Sequence, residues 1–331
     1  MARSKNIAAL HAPVVAASTA AVLVAAALGG CGEDAAPRVT SAPGAPSPAL
    51  RPTASPLCEP LRSQVTGRVR TPAATELSGL VASRRQRRVL WTHNDSGDSA
   101  RVLAVTPAGR LLAEVALAGA ENVDWEDIAV GPRPGGGDAL YVGDIGDNDA
   151  VRGEVAVLRV DEPRVPAGGG LRASAPATRL ALRYADGPRD AEALLVDPFT
   201  GALVVVTKSF DGIAGVYVAE RPVAGATTVL RRRGRLSLGG GDAVTAGDVS
   251  ADGRTVALRT YGRVVVWQRR SGEPLAATLR RRPCVARRDL FGEGQGEALA
   301  LTAGGRGFLT VSEGRRPPIR RHAPAGRVGA Q

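Results

Sequence analysis

Five residues that can offer an oxygen atom, Ser78, Glu126, Glu192, Thr245 and Glu297, each lead a short apolar run: "SGLVA", "EDIAV", "EALLV", "TAGDV" and "EALAL". Successive members lie 48, 66, 53 and 52 residues apart. Three are glutamates, and carboxylates brought together raise one another's pKa unless a cation neutralises them. Oxygen donors with no Cys or His among them suit Ca²⁺ better than Zn²⁺. A fold that brings these five positions to one centre would therefore hold a hard divalent cation.

More acid lies close to those runs. The stretch "GAENVDWEDIAV" (119–130) adds Asp124, and the loops "HNDSGD", "GDIGDND", "ADGPRDAE" and "FGEGQGE" carry Asp95, Asp98, Asp144, Asp147, Asp190 and Glu293. Asp and Asn are ordinary turn formers, so the repeated lead position carries more weight than any one loop. Lys208 is the only lysine besides Lys5, and its strand "LVVVTKS" is expected to end on this acidic face. There it would pair with a carboxylate or hold an anionic group. His93, Asp95 and Ser96 share one turn and cannot form the hydrogen-bond chain of a catalytic triad. No catalytic residue is assigned.

The elements that must position these residues are strands. After residue 57, β-branched and apolar runs bounded by Gly, Pro, Asp and Asn recur, and helical periodicity is nearly absent. Each lead run is followed by a second strand ("RVLWTHND", "ALYVGDIGDN", "ALVVVTKS", "RTVALRTY", "RGFLTVSEG") and by a third ("ARVLAV", "EVAVLRV", "AGVYVAE", "RVVVW", "PPIRR"). Fourth strands are expected at "LLAEVAL", "TRLALRY", "VLRRRGRLSL" and "LAATLR". Four strands per unit at this spacing predict an all-β propeller of five blades, or six if residues 151–184 hide extra strands. The last unit lacks a fourth strand, and "SQVTGRVR" (63–70) is expected to supply it and close the ring. First strands line a propeller's channel, which places all five lead residues at the axis.

The runs "ELSGLVAS", "LWTHNDSGD", "DWEDIAVGP", "LYVGDIGDN", "DAEALLVDP" and "EGQGEALALTAGGRGFLTVSEG", from about Glu76 to Gly314, resemble the exported phytase-like β-propeller proteins of bacteria. The Asp-rich, Trp-containing motif of the true β-propeller phytases is not found. The shorter pieces "ELSGL", "WEDIAV", "LYVGDIG" and "GEAL" are similar to the five-bladed calcium-activated nucleotidases. That resemblance implies Ser78, Glu126 and Glu297 as calcium ligands, whereas Glu192 and Thr245 follow from the ring position alone.

The ends of the chain read differently. Arg3 and Lys5 precede an Ala/Val/Leu stretch ending in "LGGC" (28–31), the pattern of an export signal with a lipobox. Residues 1–30 are expected to be removed and Cys31 lipidated, so that the protein is held outside the cytoplasmic membrane. Residues 31–56, rich in Pro, Ala and Ser, read as a tether, residues 57–322 as the propeller and 323–331 as a disordered tail. Cys58 and Cys284 remain as an even pair in an oxidising compartment, which predicts a disulfide. With "LAATLR" as a strand, however, the two cysteines start on opposite faces.

The net charge is +11, and +9 once Arg3 and Lys5 are gone. For an exported chain this points to membrane headgroups or anionic wall polymers rather than nucleic acid. Two functions follow: a binding module with a structural cation, or a Ca²⁺-dependent phosphohydrolase in which the ion orients water. A glycosidase fits poorly, because only 3% of residues are aromatic and sugar sites need stacking platforms.

Overall fold

The structure, a computed structural model, describes residues 55–287 and 289–325. The expected signal segment, Cys31, residues 31–54 of the tether and residues 326–331 of the tail lie outside the described residues.

Strands dominate because the apolar runs are short, β-branched and punctuated by turns. β1 (Leu61–Arg68) precedes the first unit, which is β2 (Leu77–Ala82), β3 (Leu90–Asn94), β4 (Arg101–Val105) and β5 (Leu111–Ala118). The second is β6 (Trp125–Pro132), β7 (Asp138–Asp144), β8 (Val155–Asp161) and β9 (Leu171–Tyr184). The third is β10 (Ala191–Val196), β11 (Leu203–Thr207), β12 (Ile213–Ala219) and β13 (Thr228–Ser237). The fourth is β14 (Val244–Val249), β15 (Thr255–Thr260), β16 (Val264–Gln268) and, after helix α1 (Leu275–Leu279), β17 (Cys284–Arg287). Last come β18 (Ala298–Leu301), β19 (Phe308–Val311) and β20 (Pro318–Pro324).

Antiparallel ladders join β2 to β5, β6 to β9, β10 to β13 and β14 to β17, each in chain order. β18, β19 and β20 are completed by β1, whose Leu61 to Arg68 pair with Pro324 to Pro318. Short parallel contacts of β9 with β5 and β13 merge three of these quartets into one twelve-stranded sheet. Residues 151–184 hold β8 and the long β9 and no further strand.

First strands touch in succession, β2 with β6, β6 with β10, β10 with β14, β14 with β18 and β18 with β2. Five apolar cores fill the gaps between successive quartets, including one of Leu77, Leu80, Leu90, Ala300, Leu309 and Ile319 that joins the last quartet to the first. This is a β-propeller architecture. β10 and β14 are buried at every residue because sheets cover both their faces, whereas the outer β13 exposes its arginines.

One expected strand is corrected. "LAATLR" forms α1 rather than the fourth strand of its unit. Pro274, held near φ −62°, precedes four residues of good or fair helix propensity and Leu279. Leu275 and Leu279 bury themselves against the core between the third and fourth quartets. β17 takes the edge instead, so Cys284 opens the fourth quartet's outer strand, just as Cys58 stands just ahead of β1, the outer strand of the next. Both lie at the end opposite the lead residues, and the disulfide forms with Cα atoms 5.7 Å apart.

Candidate functional site

All five lead residues are buried at the start of a first strand: Ser78, Glu126, Glu192, Thr245 and Glu297. Two of them serve as ties. Ser78 donates its hydroxyl to the Glu126 carbonyl, and Thr245 donates to the Gly296 carbonyl at 2.9 Å. Each stitches its strand to the next around the ring. Each hydroxyl oxygen keeps its lone pairs but has its proton committed.

The carboxylates come together, and with company. Oxygens of Asp95, Asp124 and Glu126 lie within 4.8 Å of one another, as do those of Glu126, Asp190 and Glu192, and those of Asp95, Glu297 and Glu313. Glu126 and Asp95 are each shared between two groups, so the seven acids form one chain of contacts across the mouth. Burial, reinforced by Glu192, pushes the Glu126 carboxyl up to about 12. Glu313 is pushed up to about 8 by burial and by Glu297, and Asp124 to about 6 by burial and Asp95.

Lys208 follows β11 and stands among these acids. It donates to Glu192 Oε1 and stands 5.8 Å from the Tyr261 ring centroid. Burial disfavours its charge, but Glu192 outweighs burial and raises the ammonium's pKa. Glu192 moves in the opposite sense to a simple ion pair: burial together with Glu297 and Asp190 overrides the ammonium and pushes it up to about 8. One ammonium therefore does not offset the carboxylates around it. Glu192 Oε2 is buried and has no hydrogen-bond partner.

A repeated backbone bond explains this convergence. The residue two before each lead accepts from a residue just after the second strand: Asp95 N to Glu76 O, Gly146 N to Asp124 O, Lys208 N to Asp190 O, Tyr261 N to Ala243 O and Glu313 N to Gln295 O, at 2.8 to 3.3 Å. Three rings of five equivalent positions thus stack around the mouth. The sequence reading found the lead ring and missed Glu313 and Tyr261, although counting from the end of each second strand would have reached both. Tyr261 donates to Glu297 at 3.1 Å. Gly146 fills the same ring, and a Cβ there would come 2.2 Å from Glu126 Oε1 and 2.5 Å from Asp124. Only a glycine leaves those carboxylates their space. The fourth sector, with Ala243, Thr245 and Tyr261, brings no acid.

Apart from Asp190, the other expected residues of this face are committed elsewhere. Asp98 accepts from Asn94 and pairs with Arg101 at 2.9 Å. Asp144 pairs with Arg152 at 2.8 Å, and Asp147 caps the turn at Val151 and Arg152. Asp190 accepts from Asp147 N at 2.9 Å while its carboxylate also faces Glu126 and Glu192. Glu293 pairs with Arg320 and with Arg259, whose buried guanidinium also donates to the Ala298 and Val311 carbonyls. His93 is fully buried against Trp125 and, chiefly through burial, lowered to about 4. It takes no part in the mouth.

Deeper in the ring, two acids to which the sequence reading gave no role do something else. Asp127 Oδ1 accepts from Ile128 N, and Oδ2 from Leu194 N and Gly247 N, at 2.9 to 3.0 Å. One carboxylate thereby fastens β6, β10 and β14 together. Asp248 accepts from Val249 N and Leu301 N and so fastens β14 to β18. The signal was present: an aspartate inside an otherwise apolar run, in "EDIAV" and "TAGDV".

No protein-family model matches the chain, and no characterised protein compared with it is similar in sequence. Among solved structures, the β-propeller domain of Cps50 (Swd1) from Myceliophteria thermophila is similar at a TM-score of 0.39 and 10% identity, over 79% of this chain and 99% of that one. Neither the fold nor the site described above rests on that likeness.

Proposed function

We propose that this chain is an extracytoplasmic, lipid-anchored propeller of five blades closed by β1, with a divalent cation, Ca²⁺ by the nature of its donors, at its acidic mouth. The cation is held by Glu126, Glu192 and Glu297 with Asp124, Asp190, Asp95 and Glu313 around them. Bound there, it presents a positive centre to an anionic ligand or partner. The observation that carries this reading is Glu192 Oε2, a buried oxygen without a hydrogen-bond partner on a side chain that converges with Glu126 and Asp190. Leaving such an oxygen without a donor or cation is costly.

We favour binding over phosphate-ester hydrolysis. Among the described residues Lys208 is the one ammonium, and it is already engaged by Glu192. A hydrolase would need further positive charge against the developing phosphoryl oxygens.

Calorimetric titration of the protein with CaCl₂ and MgCl₂ tests both readings when it is combined with a screen of phosphomonoesters, nucleotides and phytate. Saturable Ca²⁺ binding, lost in Glu126→Gln and without turnover, is the expected result. Turnover that needs Ca²⁺ and disappears in the same variant would replace the binding reading by the hydrolase. Absence of Ca²⁺ binding in the parent sinks the metal centre.

A further inference from the structure

The turns at the opposite end of the strands hold a second charged feature. Alternating strand directions place the β2–β3 turn, the β4–β5 turn and the β8–β9 connection together at the end away from the lead residues. They enclose an open cleft of about 1470 Å³ lined by six arginines: Arg70, Arg85, Arg87, Arg88, Arg110 and Arg164.

Its walls are held firmly. Gln86 donates to the Pro163 carbonyl and to Glu162 and accepts from Val165 N, while Arg110 donates to the Gly168 and Ala167 carbonyls. No acid is among the lining residues, and Glu162, next to Pro163 and Arg164, is turned inward, where it accepts from Ser83, Gln86 and Trp91 and is 3.9 Å from Arg85. Among the described residues, Arg70, Arg87, Arg88 and Arg164 have no side-chain hydrogen bond or ion pair, and all four are exposed. Guanidinium groups crowded in a concavity without counter-charge suit the planar, bidentate recognition of phosphate.

The described chain begins at this same end. β1 runs antiparallel to β20, so residues 55–60, and the Cys58–Cys284 bridge with them, lie away from the acidic mouth. A chain anchored through its N-terminal side would turn the cleft towards the membrane and the mouth away from it.

We propose that the arginine cleft docks on the phosphate headgroups of anionic lipids and so orients the propeller with its acidic mouth outward. The proposal shares the membrane location with the functional reading above but not the cation, so failure of Ca²⁺ binding leaves it standing.

The test uses the full chain carrying Cys31→Ala, so that no acyl group contributes, with vesicles of phosphatidylglycerol in phosphatidylcholine and of phosphatidylcholine alone. Partitioning onto the anionic vesicles should exceed that onto the neutral ones and fall with added NaCl. The double change Arg87→Gln and Arg164→Gln should weaken it about 30-fold, at about fivefold per charge lost. Equal partitioning of parent and double variant overturns the proposal. If the variant's melting temperature drops, the parent's salt dependence decides instead, and a flat response between about 0.05 and 0.3 M NaCl overturns it. Soluble inorganic polyphosphate supplies the remaining arm: polyphosphate bound with the same dependence on Arg87 and Arg164, and no preference for anionic vesicles, would replace the lipid by a soluble ligand.

Discussion

Two sets of acids sit on or beside the first strands and meet different fates. Asp127 and Asp248 lie deep in the ring and collect main-chain N–H groups that the inner edges of neighbouring strands leave unpaired. Glu126, Glu192 and Glu297 stand at the mouth, where the neighbours within reach are mostly other carboxylates. Burial is similar in both sets; the supply of donors differs. An acid whose lone pairs are met by backbone is a structural clamp, whereas an acid that faces acids is waiting for a cation.

The sharpest way to break this contrast is at the clamp. Asp127→Ala leaves three buried N–H groups without an acceptor, and at about 1 to 3 kcal/mol each the cost should reach several kcal/mol in urea unfolding. Asp127→Asn, which keeps an oxygen, should recover part of that loss. A loss below about 1 kcal/mol in the alanine variant would show that water replaces the carboxylate.

At the mouth, Gly146→Ala should cost about 1 to 3 kcal/mol, because its Cβ meets Glu126 Oε1 at 2.2 Å. Ca²⁺ affinity should fall at least tenfold in the same variant, measured by titration. Unchanged affinity would mean that the ion sits away from Glu126 and Asp124.

The pH response separates the two sets again. Carboxyl groups raised in the folded state bind protons that the unfolded chain has released, so stability falls as pH rises through their folded values. Glu192 and Glu313, both pushed to about 8, should lower the melting temperature between pH 6.5 and 8 in chelator. His93 and His322, held near 4 and 3, are already neutral across that window. Ca²⁺ should flatten the slope due to the mouth and leave any slope from Asp127, which burial also raises. An equal slope with and without Ca²⁺ would remove the mouth carboxylates as its cause.

The smallest expected effect is a gain. Glu126→Gln puts a neutral amide where a carboxyl must take up a proton on folding at pH 8, and should stabilise the metal-free protein by about 1 kcal/mol while abolishing stabilisation by Ca²⁺. Destabilisation in chelator would show that Glu126 is ionised and already satisfied.

The strand pattern and the lead ring were readable because each lead run has the same polar head and apolar body, whether in "EDIAV" or in "EALLV". The fourth unit misled for a local reason: "LAATLR" is apolar and short enough for a strand, and only the packing of Leu275 and Leu279 decides for α1. That single displacement moved Cys284 to the end where Cys58 lies. Of the loop acids, Asp95 and Asp124 reached the cluster while Asp98 and Asp144 went to arginines, and no feature of the individual loops separates those outcomes.

Period and polarity along the chain determined that strands form, that they repeat, and that oxygen-bearing residues recur at their heads, since these depend on near neighbours alone. Which carboxylates meet donors and which meet one another was decided only when the separate first strands packed side by side. Electrostatic cost depends on distance in space and on exclusion of water, and neither quantity exists until the chain has folded.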